Sequence, residues 1–127
     1  MKKAFLSLLL FIPMAIIAAG PQITFIEAEH EFGNIKENNG KVSYDFRYTN
    51  TGDAPLVIIS ATASCGCTAP TFPKQPLAPG DTAVINVKFN PKGQRGEFIK
   101  SVIVKSNSEK DQRARLKIKG CVIPANR

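Results

Sequence analysis

The sequence predicts an all-β chain folded as an antiparallel sandwich of about seven strands. Three observations carry this. Apolar and polar residues alternate with period two in nearly every segment after the first twenty or so residues. Turn signals recur about every eight to twelve residues. No stretch shows a sustained helical pattern with caps.

Taken in order, an opening strand is expected within Ile23 to Phe32, with Gly33 marking a bulge or bend. Val42, Tyr44, Phe46 and Tyr48 alternate with Ser43, Asp45, Arg47 and Thr49, the pattern of a half-buried strand. Asn50, Thr51, Gly52 and Asp53 supply a turn, and Pro55 opens the next strand, Leu56 to Ala63. Pro70, Pro73, Pro76 and Pro79 fall close together and cannot donate to a central ladder, so Ala69 to Pro79 reads as an extended loop or edge segment. Pro79, Gly80 and Asp81 introduce a strand over Ala83 to Phe89, which Asn90, Pro91 and Gly93 end. Phe98 to Lys105 and Ala114 to Val122 give two more, joined by a turn over Ser106 to Asp111. The expected core includes Val42, Tyr44, Phe46, Ile85, Val87, Phe89, Leu116 and Ile118.

Ahead of these strands, Lys2 and Lys3 precede an apolar run from Ala4 to Ile17, followed by Ala18, Ala19 and Gly20. This is the pattern of a secretory signal, cleaved after Ala19, because cutting after Gly20 leaves Pro21 at the new terminus. The run is too short for a retained span, which needs about 20 apolar residues. Residues 1–19 are thus expected to be a signal peptide, and residues 20–127 a single domain that carries no membrane span and is periplasmic or extracellular. The formal charge is +7, or +5 without Lys2 and Lys3. Arg113, Arg115, Lys117 and Lys119 alternate with Ala114, Leu116 and Ile118, the pattern of a solvated strand face. No nucleic acid is expected as a partner.

The chemistry is concentrated in Ser64-Cys65-Gly66-Cys67-Thr68, with a third thiol at Cys121. An oxidising compartment drives cysteines to pair, bind or react, and three thiols permit three single bridges. Cα atoms two residues apart on a strand lie about 6.6 Å from each other, so a Cys65–Cys67 bridge needs a tight turn, which Gly66 permits. A bridge to Cys121 is the alternative. If Phe98–Lys105 lies between Leu56–Ala63 and Ala114–Val122, the outer two run parallel and bring Cys121 to the same end of the sandwich as the paired thiols. Cys65, Cys67, Cys121 and His30 would together supply four zinc ligands, but zinc motifs separate paired cysteines by about two to four residues. His30 between Glu29 and Glu31 reads instead as a partly exposed strand residue. It is the sole histidine, and no nucleophile motif accompanies it.

Phe32-Gly33, Asn50-Thr51-Gly52 before an apolar strand, Cys65-Gly66-Cys67-Thr68, Pro79-Gly80-Asp81, Asn90-Pro91, Ser106-Asn107 and Gly120 together resemble a secreted bacterial family, domain of unknown function 1573. Cys121 matches no position of that pattern. The broader resemblance is to the immunoglobulin-like domains of the Hydin and major sperm protein group, and periplasmic pilus chaperones share part of that architecture. The resemblance implies an immunoglobulin-like sandwich and assigns no chemistry. The reading of the whole is a non-enzymatic exported binding or accessory module of the cell envelope, acting on an unidentified protein or envelope component without a cofactor. The alternatives are thiol–disulfide exchange at Cys65 and Cys67, strand addition as a periplasmic chaperone, and thiolate metal binding.

Overall fold

The computed structural model describes residues 20–126; the leader expected over residues 1–19 lies outside them. The strands are β1 (Ile23–Phe25), β2 (Glu29–Lys36), β3 (Val42–Asn50), β4 (Ile58–Ala63), β5 (Thr68–Thr71), β6 (Thr82–Phe89), β7 (Gly96–Ser106) and β8 (Arg113–Ile123), with one 3-10 turn over Glu37–Asn39. They form two four-stranded sheets, ordered β1-β3-β6-β5 and β2-β8-β7-β4.

The all-β sandwich is as the alternation predicts, and β7 lies between β4 and β8. Two details differ. The expected opening strand is two strands in different sheets, because the chain crosses between sheets after Phe25, and the second runs on to Lys36. That second strand, β2, pairs with β8 in parallel, so the sandwich is not wholly antiparallel. Alternation reports which face a residue occupies and carries no information on the direction of its neighbour.

The β2–β8 register shifts between Glu31 and Asn34. Gly33 sits at that shift with φ +71°, a conformation that costs an L side chain and suits glycine. The bulge expected at Gly33 is therefore present.

Phe46, Ile85, Val87, Phe89, Leu116 and Ile118 are buried as expected, joined by Tyr48, Val102, Val104 and Val122. Phe89 and Phe98 stack across the two sheets with ring centroids 4.2 Å apart. Each large apolar side chain buried here contributes on the order of 1.5–3 kcal/mol. Val42 and Tyr44 are only half-buried. Val42 opens β3 at the rim, and Tyr44 turns toward β2, where its ring stacks on His30 at 3.7 Å and its hydroxyl donates to Glu27 Oε2 at 2.6 Å.

Asn50 ends β3 with its side chain fully buried. Its Oδ1 accepts from the Gln22 and Gly52 N–H groups at 3.3 and 3.0 Å. Its Nδ2 donates to the Ala54 and Leu77 carbonyls at 2.8 and 2.9 Å. Gly52 follows where the backbone of residues 20–22 passes so closely that an added Cβ would lie 2.0 Å from the Gly20 carbonyl oxygen.

A second polar clamp holds the β7–β8 turn. Asn107 Oδ1 accepts from Val57 N at 2.8 Å, and its Nδ2 donates to the Pro55 carbonyl at 3.3 Å. Buried Ser108 accepts from Ile23 N at 3.1 Å.

Asn50→Ala removes a partner from four backbone groups; the Leu77 carbonyl still accepts from Leu56 N, and each of the other three left unsatisfied in the interior costs about 1–3 kcal/mol. The variant is expected to lose several kcal/mol in urea unfolding; a midpoint equal to that of the parent would contradict this account.

Burial raises the Tyr48 phenol above its ordinary value near 10. The folded state thus holds this proton more tightly than the unfolded chain, so its contribution is complete below about pH 10 and is lost as pH rises through the folded value. Tyr48→Phe should flatten the decline in stability above pH 10, read as the thermal midpoint across an alkaline pH series.

Candidate functional site

The Cys65-Gly66-Cys67 segment is the crossover by which the chain leaves one sheet and enters the other, between β4 and β5. It is fastened on both sides. Ser64 N donates to the Ser101 carbonyl at 2.9 Å, and Ser64 Oγ accepts from Ser101 N at 3.1 Å, which holds the entry to β7. Asn90 N donates to the Cys67 carbonyl at 2.8 Å, which holds the exit to the end of β6. Between these anchors Thr68 N donates to the Cys65 carbonyl at 3.2 Å and closes the turn.

The turn brings the two Cα atoms to 5.3 Å, inside disulfide reach, and Cys65 is bonded to Cys67. Gly66 is exposed at the apex with nothing within 4 Å of where a Cβ would stand, while both cysteines are half-buried. The Cys67 N–H points at Cys65 Sγ at 3.0 Å, and Cys67 Sγ lies 3.7 Å from Thr68 Oγ1. Cys67 packs partly against the core. Its other side faces a depression of about 110 Å³ lined by Lys41, Gly66, Cys67, Ala69, Lys88 and Asn90. Strand pairing assembles those lysines, since Ala69 lies opposite Lys88, and Val42, next to Lys41, lies opposite Phe89.

Cys121 is unbridged and half-buried on the outer face of β8. Strand order is as the sequence argument requires, with β4 and β8 parallel across β7. The thiols nevertheless do not meet. The crossover sits level with Ser101, whereas Cys121 lies opposite Glu97, four residues away along β7, or about 13 Å. Cys121 lies in its own depression with Glu31, Asn34, Glu97 and Lys119.

His30 does not join the cysteines. It lies opposite Ile118, stacked on Tyr44 and edge-on to Phe32 at 4.6 Å. Among the described residues no three of His, Cys, Asp and Glu are grouped to hold a metal ion. Cys65, Cys67, Cys121 and His30 therefore do not form the four-ligand cluster.

The basic face of β8 is partly neutralised. Lys119 Nζ lies 2.9 Å from Glu29 Oε2, and Lys117 Nζ lies 3.9 Å from Oε1. The hydrogen bond with Lys119 holds the Glu29 carboxyl below its ordinary value and raises the Lys119 ammonium. Arg113 and Arg115 are exposed beyond this pair.

Sequence reasoning missed Glu37. It is buried, its Oε2 accepts from Gly93 N at 2.9 Å and its Oε1 from Ala125 N at 3.1 Å, so it ties the β6–β7 loop to the C-terminal segment. Nothing local distinguishes it in the polar run Lys36-Glu37-Asn38-Asn39-Gly40.

A family model, "Protein of unknown function (DUF1573)", matches residues 23–122. The chain belongs to this family. Among curated proteins none matches it in sequence. Among solved structures it is similar to a protein of unknown function from Porphyromonas gingivalis W83, with TM-score 0.73 and 15% identity over 84% of this chain and 50% of that one. The chain thus spans half the length of that relative. It is similar along nearly the whole length of a second structure, the ASH/PapD-like domain 7 of human CEP192, with TM-score 0.63 and 13% identity, covering 90% of this chain and 93% of that domain. The periplasmic chaperone SfaE matches at TM-score 0.57 and 14% identity over 83% of this chain and 60% of its own. These likenesses establish an immunoglobulin-like, PapD-like fold. No helix among the described residues is long and apolar enough to cross a membrane.

Intact protein alkylated under denaturing, non-reducing conditions is expected to take up label at Cys121 alone, and at all three cysteines after reduction. Label at Cys65 or Cys67 before reduction, in protein isolated from its native compartment, would contradict the short bridge.

Proposed function

We propose that the chain is an exported, non-enzymatic binding module of the cell envelope that receives an extended segment of a partner protein along β4. The carrying observation is the contrast among the four edge strands. β1 is three residues long, β5 contains Pro70, and β2 carries Glu29, Glu31 and the Gly33 bulge. These are the ordinary devices that blunt an edge. β4 runs for six residues, Ile58–Ala63, with neither charge nor proline, and pairs on one side only; its own register shift, between Ile58 and Ser60, leaves Ser60–Ala63 in regular register. Ile59 on it is 55% exposed. The Leu56–Leu77 bridge covers the chain just before this edge opens. An edge of this kind offers main-chain partners to an added strand, with alternate side chains providing selectivity.

Export is supported by the leader pattern and by the likeness to a periplasmic chaperone. The expected cleavage leaves Gly20 first, and the Gly20 carbonyl accepts from Asp53 N at 3.0 Å, so the mature chain is anchored from its start.

A photo-crosslinking residue at Ile59 in the producing bacterium should give a discrete adduct with an envelope protein. The adduct should vanish on Thr62→Pro and be absent with the same residue at Ile123. Equal adducts at both positions, or none at Ile59, would overturn the docking edge. Protein carrying residues 1–19 and retained in the cytoplasm would overturn export.

A further inference from the structure

We propose that the Cys65–Cys67 disulfide is a reactive, polarised bond that exchanges with anionic thiols, the incoming thiolate attacking Cys67 and Cys65 departing. This goes beyond the binding reading and does not depend on it.

Two independent features give the bond its direction. The first is the hydrogen bond from the Cys67 N–H to Cys65 Sγ at 3.0 Å. A donor aimed at a sulfur stabilises the negative charge that sulfur takes on as it departs, and a better-stabilised thiolate leaves faster in exchange. Cys65 is therefore the better leaving group. The second is access: Cys67, and not Cys65, lines the depression of about 110 Å³ between Lys41 and Lys88. Both lysines are exposed, and the lining contains no carboxylate. A thiol bearing carboxylates is drawn to that depression and arrives at the sulfur whose displacement releases Cys65.

Ring closure reinforces this reactivity, because one intervening residue leaves the bridge with almost no chain to constrain in the unfolded state. The surroundings do not need to move for the bond to open, since Ser64 and the Cys67 carbonyl hold the crossover through hydrogen bonds that involve neither sulfur.

A thiolate RS⁻ attacks Cys67 Sγ, the Cys65–Cys67 bond breaks, and Cys65 carries away the electron pair as thiolate. A second thiolate attacks the sulfur of R in the mixed disulfide, giving RSSR and releasing Cys67 as thiolate. Two thiols are oxidised to a disulfide, the domain is reduced to its dithiol, and the two thiol protons pass to Cys65 and Cys67. The exchange is stoichiometric in the domain.

The test uses mature protein with Cys121→Ser, or with Cys121 blocked by alkylation if that variant does not fold. Bond opening by glutathione, which is anionic, is compared with opening by neutral 2-mercaptoethanol, in the parent and in Lys41→Glu/Lys88→Glu, after circular dichroism shows that both are folded. Charge reversal should slow glutathione about five- to tenfold and leave 2-mercaptoethanol unchanged. Equal slowing of both thiols, or of neither, overturns selection of anionic thiols. Acid quenching during the reaction followed by peptide mapping should place the glutathione adduct on Cys67; an adduct on Cys65 overturns the polarity. A bond that resists both thiols in the folded protein and opens only in denaturant overturns the exchange itself and identifies a structural bridge.

Discussion

The buried side chain of Asn50 is the constraint on which the arrangement of segments depends. An asparagine side chain has two acceptor sites and two donors, and all four are used here, each toward backbone. Its partners come from Gln22 just ahead of β1, from its own turn, and from the loop that leads into β6. The main chain of Asn50 joins the same knot, since its N–H donates to the Asp81 carbonyl and its carbonyl accepts from Gly80 N. The side chain therefore adds to the strand pairing here, where Asn50 lies opposite Ile23, and holds three segments in one geometry. Gly52 completes it, because only a residue without a Cβ admits residues 20–22 at the observed approach. No apolar side chain could take this place without leaving several buried donors and acceptors unpaired.

With that end fixed, the flanks of the sandwich are joined in two chemically different ways. On one flank the chain itself crosses between sheets through the Cys65–Cys67 turn. On the other the chain crosses after Phe25 without a disulfide, and side chains reinforce the joint: His30 of β2 lies flat on Tyr44 of β3, and the Tyr44 hydroxyl reaches Glu27. Deeper in, Gly120 is approached closely by the Gly33 carbonyl and the Phe98 ring, so an added Cβ at residue 120 would lie 2.9 Å from each. The late glycine and the bulge glycine thus belong to one feature, the close fit of β2 on β8.

The strands and most of the core were legible because burial on one face of a sheet imposes a period of two, visible in single segments such as Ala83–Phe89. Turn chemistry was legible for the same local reason at Asn50-Thr51-Gly52 and Ser106-Asn107. What stayed hidden are relations between segments. The parallel pairing of β2, the split of the opening strand and the clamp made by Glu37 each depend on a partner far away in sequence. The thiols show the division plainly. A tight turn at Gly66 could be foreseen as a requirement of the short bridge, and so could the parallel course of β4 and β8. The offset of four residues that separates Cys121 from the crossover is a matter of register, which alternation does not fix. Lys41 and Lys88 carried no signal, because only the pairing of β3, β5 and β6 places them beside Cys67.

The position of the disulfide at a crossover also bears on the edge that precedes it. β4 offers a regular, uncovered row of main-chain groups from Ser60 to Ala63, and the chain then reaches Cys65 within two residues. A strand laid along β4 would end beside Gly66, where space is open. Opening the bond would leave Ser64 fastened to Ser101 and Cys67 fastened to Asn90, yet it would release the short ring that holds the turn between them. Edge and bond are thus adjacent in the chain and independent in their chemistry, one presenting backbone hydrogen bonds and the other an electrophilic sulfur. Their adjacency arises from a single topological requirement: a strand that leaves one sheet for the other must end its ladder, and in this chain it ends at the paired cysteines.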